Sequence, residues 1–149
     1  MHFFRNRIFR SCSNWNFRAL TEEDFYALCR KHKIVAEEMP LRTNGFYYSL
    51  LGKHYIVVDS RLSGHEKLFV MFHELAHFLL HVPDEGVTAN FHGVGKRTRK
   101  ESEADAFALC ALIPKKWIET RLPAELIAEE GLPPEYVEQR TAIYQQYGM

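Results

Sequence analysis

Residues 63–83, SGHEKLFVMFHELAHFLLHVP, predict one buried helix in which His73, His77 and His81 follow one another at intervals of four residues. Ser63 and Glu66 stand in capping-box relation at its start, and Pro83 cannot continue a helix. Apolar residues recur between these ends at helical spacing: Leu68, Phe69, Phe72, Leu75, Ala76, Leu79 and Leu80. The ionisable side chains in this run therefore carry a desolvation cost unless something satisfies them.

Two of the histidines are placed to bind one metal ion. Residues four apart lie on nearly the same face of a helix, so His73 and His77 can each direct a ring nitrogen at one ion. Glu74 projects beside them at an offset, which suits it to polarise a water molecule as a general base instead of ligating the metal. The pattern HExxH is only moderately specific, and a histidine pair hydrogen-bonded within a core is the alternative interpretation.

A catalytic zinc ion needs a third protein ligand and an open position for water. His81 lies one further turn along the helix, about 6 Å up the axis, which makes it a poor third ligand. A second predicted helix at 101–114, ESEADAFALCALIP, offers Glu101 and Glu103 instead. Glu101 falls near the apolar face of that helix and Glu103 toward its edge, which favours Glu101. Asp105, four residues after Glu101, is predicted to accept the free N–H of a zinc-bound histidine.

Three short segments ahead of the HExxH helix predict one helix and a sheet. TEEDFYALCRKHK, at 21–33, has the N-cap pattern of a helix. KIVAEEMP, at 33–40, is typical of a short strand, and GFYYSLLGKHYIVVDS, at 45–60, of two β-rich runs joined by a turn at Gly52 and Lys53. We therefore expect an α+β fold, in which a small, mostly antiparallel sheet packs on the HExxH helix and the second ligand-bearing helix.

The remaining segments are predicted to be irregular or to form short helices. Residues 84–100 are rich in glycine and charge and are predicted to form a loop, and the chain after Pro114 to form short helices broken at its prolines. The basic stretch 1–20 is predicted to be an N-terminal arm, partly ordered, which could touch a nucleic acid or an acidic partner. Residues 21–149 are predicted to form a single domain.

Composition narrows the class of protein. The 149 residues suit one compact domain, and 19 basic residues balance 19 acidic ones, so the chain lacks the charge of a dedicated nucleic-acid binder. Three cysteines without a CxxC pair are typical of free thiols in a reducing cytoplasm. The N-terminal stretch has no continuous apolar region of the kind found in signal peptides or membrane anchors. We therefore expect a cytoplasmic protein that neither spans a membrane nor binds nucleic acid directly.

The succession of strand, HExxH helix, loop and ESEAD helix resembles the ImmA/IrrE family of zinc metallopeptidases. That family's pattern is a Phe-containing lead-in, HExxH, and a later helix with Glu, two residues, Ala, then Asp or Asn, and the likeness extends from about Thr21 to the C-terminus. Val70 and Ala76 replace the family's usual Thr and its Gly or Ser, at positions that are not ligands. The resemblance implies a zincin-like fold with one zinc ion per chain. The ligands would be His73, His77 and Glu101. Glu74 would be the general base, and Asp105 would occupy the family's Asp/Asn position.

The resemblance also implies a function: an endopeptidase that hydrolyses a peptide bond of a helix-turn-helix repressor encoded nearby. His81 and His92 are candidates for stabilising the oxyanion. One alternative is a zinc-containing regulatory module that grips a repressor or antitoxin without cleaving it, which the intact Glu74 disfavours. Another is a purely structural zinc site, which would require a fourth ligand such as His92 or Cys110.

Overall fold

The computed structural model describes residue 8, residues 10–81 and residues 98–149, together with the backbone of residues 86–90. Its helices and strands make an α+β domain, as predicted. In chain order they are α1 (Glu22–Lys31), β1 (Ile34–Met39), β2 (Gly45–Leu50), β3 (Lys53–Asp59), α2 (Gly64–Leu80), β4 (Gly86–Asn90), α3 (Arg99–Leu112), α4 (Lys115–Thr120), α5 (Pro123–Glu130) and α6 (Pro134–Tyr147).

The sheet is mixed, with strand order β1-β3-β2-β4. Strand β3 pairs parallel with β1 and antiparallel with β2, and β2 pairs antiparallel with β4. The hairpin between β2 and β3 turns through Leu51 and Gly52, both at positive φ, the backbone of a type I′ turn. The predicted strands are therefore confirmed, and most of the pairings are antiparallel.

Strand β4 lies inside the segment that the sequence predicts to be a loop, so that prediction is wrong for Gly86–Asn90. This short run pairs with β2 in a register that joins Gly45 to Asn90 and Ser49 to Gly86. A strand of five residues with glycine at its start carries little local signal. Its hydrogen bonds are to residues about forty positions away, and they define the strand.

Helix α2 is the buried helix that the apolar spacing predicts. Its middle is covered on all sides, since the residues from Val70 to His77 are all buried. Ser63 is the N-cap residue, but its side chain makes no capping hydrogen bond, so the predicted capping box with Glu66 does not form. The chain enters the helix through Gly64 at φ +57°, a left-handed geometry that differs from that of a capping box.

Helices α2 and α3 pack against each other, and this contact brings the two candidate ligand-bearing segments together. Both helices bury alanines, Ala76 on α2 and Ala104 and Ala108 on α3, whose small side chains permit a close approach. Phe72 and Phe107 meet across the pair with ring centroids 6.5 Å apart. Pro114 ends this part of the chain as the N-cap of α4.

Part of the predicted N-terminal arm belongs to the core. Ile8, Cys12, Trp15 and Leu20 are buried in the same apolar cluster as α2 and α3. The Trp15 indole Nε1 donates to the Phe107 carbonyl at 2.9 Å, and the two rings stack with centroids 5.7 Å apart. Residues 1–7 lie outside the described part of the chain. Ile8, Cys12, Trp15 and Leu20 therefore contribute buried side chains to the same core as the predicted domain 21–149.

Two further observations bear on the class of protein. Within the described residues, no helix combines the length and apolar character needed to cross a bilayer. Cys12, Cys29 and Cys110 are all buried free thiols, and burial raises the pKa of each.

Candidate metal centre

Two consecutive turns of α2 place His73, Glu74 and His77 inside the domain. Their exposed fractions are 0%, 0% and 3%, respectively. The ring centroids of the two histidines lie 5.0 Å apart, as four-residue spacing on one helical face requires. A buried acid and two buried histidines in an apolar helix need compensating partners, and α3 provides carboxylates for the two histidines.

Glu101 is the residue of α3 that reaches both histidines. Its Oε2 lies 3.2 Å from Nε2 of His73, and its Oε1 lies 3.2 Å from Nε2 of His77. The first turn of α3 is held by Thr98, whose hydroxyl accepts a hydrogen bond from the Glu101 backbone N–H at 3.2 Å. One ligand atom from each of His73, His77 and Glu101 lies within 4.8 Å of the others, the spacing of a group that could hold a metal ion.

The electrostatics of Glu101 favour its ionised form. Burial alone would raise the pKa of this carboxyl, but the hydrogen bonds to His73 and His77 outweigh burial and hold the pKa well below its usual range. An ionised carboxylate beside two imidazole nitrogens is a donor set that zinc uses in catalytic sites.

Asp105 lies where the sequence predicts a partner for a ligand histidine. Its Oδ1 is 2.8 Å from Nδ1 of His73, so the two ring nitrogens of His73 face different carboxylates. A proton on Nδ1 of His73 would face Asp105, and the lone pair would then be on Nε2, where a bound metal ion would replace the contact with Glu101.

Glu103, the alternative third ligand, faces a different histidine. Its Oε2 lies 3.0 Å from Nε2 of His81, and its Oε1 accepts from Arg99 Nε at 2.9 Å. Nδ1 of His81 in turn lies 3.0 Å from Nδ1 of His77. Burial lowers the pKa of His81, and the hydrogen bond to Glu103 opposes this effect. The sequence analysis did not predict these contacts. The four-residue spacing of His77 and His81 was nevertheless a signal for the contact between those two rings.

Cys110 and His92 are the two candidates for a fourth ligand, and the structure describes only Cys110. Cys110 is fully buried, burial raises its pKa to about 11, and it is not part of the ligand group. His92 lies outside the described residues. Within those residues the group is therefore three side chains, as in a catalytic zinc site that keeps a position open.

Strand β2 approaches Glu74 closely on the side of the sheet. A Cβ atom at Gly45, the first residue of β2, would lie 2.8 Å from Cγ1 of Val70, 2.9 Å from the Val57 carbonyl oxygen and 3.6 Å from Cγ of Glu74. Only glycine fits at this point of the strand without a shift of its neighbours. Glu74 is therefore bordered by the strand on one side and by its own helix on the other. No sequence pattern around Gly45 indicates this role.

A cavity of about 580 Å³ lies beside the candidate site. Phe69 and Asp105 border it, and both also contact His73, Phe69 through its ring at 5.9 Å between centroids. Tyr136 of α6 closes another side and packs on Phe69. The cavity lies beside the histidine that Asp105 orients, and the three candidate ligands do not line it.

The chain was compared with known proteins. A peptidase family model described as the IrrE N-terminal-like domain matches residues 29–139, about three-quarters of the chain. The matched range contains the candidate ligands, Glu74 and Asp105. No curated protein and no solved structure matches the chain.

Proposed function

The chain belongs to the family of IrrE N-terminal-like peptidase domains, and from this membership and the site geometry we propose that it is a zinc-dependent endopeptidase. One observation carries the proposal. Ring nitrogens of two buried histidines on α2 and the carboxylate of Glu101 on α3 converge within 4.8 Å, and a buried glutamate directly follows the first histidine.

The residues present fit a zinc ion. Two imidazole nitrogens and one carboxylate oxygen form a ligand set of catalytic zinc centres. We propose that His73, His77 and Glu101 hold one ion per chain. A bound zinc ion would supply a Lewis acid that polarises the scissile carbonyl and makes water a nucleophile near neutral pH.

Glu74 is the proposed general base. Its position one residue after His73 supports this role, since HExxH helices offset the glutamate from the two ligand histidines. It would accept the proton of the attacking water and then deliver that proton to the leaving amine as the peptide bond breaks. Burial between α2 and the start of β2 would keep this carboxylate in one orientation.

We propose that the substrate is a helix-turn-helix repressor encoded near this gene, so that cleavage relieves repression. This step rests on the resemblance to the ImmA/IrrE family, in which such repressors are the expected partners. A repressor substrate would place the enzyme in the cytoplasm, and three buried free thiols suit that compartment.

The test co-expresses the chain with the neighbouring repressor and follows the repressor by mass spectrometry. We expect the wild type to contain zinc after purification without chelator and to yield two repressor fragments. Glu74→Gln should keep zinc and yield none. Glu66→Gln is the matched control, since it makes the same change on an exposed part of the same helix and should cleave normally.

Two outcomes would contradict the proposal. A wild type without zinc, or a His77→Ala variant that retains it fully, would remove the metal centre. Equal derepression by the wild type and Glu74→Gln, with the repressor intact in both, would favour a module that grips the repressor without cutting it.

A further inference from the structure

The third histidine of HELAHFLLH contacts the second through their facing nitrogens. His81 is the C-cap residue of α2, and its backbone N–H donates to the His77 carbonyl at 3.2 Å. Its Nδ1 lies 3.0 Å from Nδ1 of His77, and its Nε2 lies 3.0 Å from Oε2 of Glu103. A continuous path of hydrogen-bonding groups therefore runs from Glu103 through His81 to His77.

The proton positions along this path follow from the types of group. An ionised carboxylate only accepts, so Glu103 takes the N–H of His81 Nε2. A neutral imidazole that donates from Nε2 carries a lone pair on Nδ1. That lone pair accepts from Nδ1–H of His77, and the lone pair of His77 is then on Nε2. A bound metal ion would take this lone pair in place of the hydrogen bond from Nε2 to Glu101 that the metal-free site makes.

We propose that His81 and Glu103 form a positioning pair, which holds His77 in the tautomer and ring orientation that a metal ligand requires. The inference rests on the proposed metal centre of His73, His77 and Glu101. His81 is neither a ligand nor a group that stabilises the oxyanion in this assignment. Both of its ring nitrogens are engaged, one by His77 and the other by Glu103.

The two ligand histidines are therefore supported in different ways. Asp105 contacts Nδ1 of His73 directly at 2.8 Å, whereas the Glu103 carboxylate reaches Nδ1 of His77 through His81. The side chains of His81 and Glu103 are 9% and 20% exposed, so water competes little for their hydrogen bond. Arg99, which also contacts Glu103, is 88% exposed and adds little to the pair.

The test compares His81→Asn with His81→Leu. Oδ1 of asparagine is bonded to Cγ, as Nδ1 of histidine is, so asparagine keeps an acceptor for His77. Leucine places a methyl group there and accepts nothing. Zinc affinity is measured by competition with a chromophoric chelator, and the thermal midpoint of each metal-free variant is measured alongside.

We expect His81→Leu to bind zinc about 10–100-fold more weakly than the wild type, the usual effect of losing the partner of a ligand histidine. His81→Asn should recover most of that loss, while the two metal-free variants melt at similar temperatures. Recovery by asparagine separates positioning from packing, since both variants remove the ring.

A second pair serves if His81→Leu does not fold. Glu103→Gln keeps an acceptor oxygen for His81 and should bind zinc nearly as well as the wild type. Glu103→Leu has no acceptor and should bind it more weakly.

Equal zinc affinity for the leucine variant and its polar counterpart, in both pairs, would overturn the positioning inference while the metal centre stands. A wild type that takes up no zinc would overturn both. The zinc content of the wild type thus reports on the proposed function, and the differences among variants report on His81 and Glu103.

Discussion

Replacing Glu101 by glutamine should remove most of the stabilisation that zinc gives to the fold. The change keeps the size of the side chain and removes its negative charge. Glu101 is the side chain whose two oxygens lie 3.2 Å from the facing nitrogens of His73 and His77. Loss of an outer partner of a ligand costs about 10–100-fold in metal affinity, so the loss of a direct ligand should cost at least about 100-fold.

The magnitude follows from linkage between binding and unfolding. Zinc at about 1,000 times its dissociation constant stabilises the native state by about 4 kcal/mol. For a domain of this size, 1 kcal/mol corresponds to about 2–4 °C in thermal midpoint, so zinc should raise the wild-type midpoint by about 8–16 °C. A 100-fold weaker variant at the same zinc concentration keeps about 1.4 kcal/mol, or about 3–6 °C.

The assay is thermal unfolding with zinc and with chelator, and each variant is compared with its own metal-free form. Glu103→Gln is the matched control, since it makes the same change two residues away on the same helix, where the side chain faces His81. It should keep nearly the full rise. An undiminished rise in Glu101→Gln, or a larger loss in Glu103→Gln, would refute Glu101 as the third ligand.

Three further predictions concern the scaffold. Trp15→Ala should lower the free energy of unfolding by about 3–5 kcal/mol in urea titrations, because the indole is fully buried. Phe17→Ala is the control and should change the free energy of unfolding little, since Phe17 is 68% exposed. Similar losses in the two variants would contradict a core role for Trp15. Gly45→Ala should lower the free energy of unfolding by about 1–3 kcal/mol, since the new Cβ would lie 2.8 Å from a side-chain carbon of α2 and 2.9 Å from the β3 backbone. An unchanged free energy of unfolding would contradict that close contact. A hydrogen bond from Arg18 lowers the pKa of Asp24 from 3.8 to about 2, so the stability it contributes is present above about pH 4 and lost as the pH falls toward 2. Asp24→Asn should therefore destabilise the protein at pH 7 by about 1 kcal/mol, a modest value because the pair is partly exposed. The difference from the wild type should shrink as the pH falls from about 4 to about 2, where half of the Asp24 carboxyls are protonated; a difference that stays constant over that range would contradict this assignment.

The features that the sequence predicts correctly are local ones. The apolar spacing of residues 63–83 identifies a buried helix, since helical geometry assigns each residue its face. The four-residue interval between His73 and His77 places both rings on that face by the same rule. Thr21 and Asp24 form the predicted cap, because a capping box involves only neighbouring residues.

Where the sequence prediction failed or was silent, the contacts are distant in the chain. Strand β4 was missed because its hydrogen bonds to β2 define it. The packing of Trp15 depends on Phe107, ninety-two residues away. Neither contact leaves a periodic pattern in the segment where it occurs.

The sequence alone determined that His73, Glu74 and His77 lie on one buried helix and that Glu101 and Glu103 lie on a later helix. Only the tertiary structure decided which glutamate faces which histidine. Glu101 and Glu103 are two residues apart, so about 200° of rotation separates them on α3, and the angle at which α3 packs on α2 places them. That packing brings Glu101 to His73 and His77 and leaves Glu103 to His81. The pairing of each glutamate with its histidine depends on contacts between two helices, so no single segment of sequence predicts it.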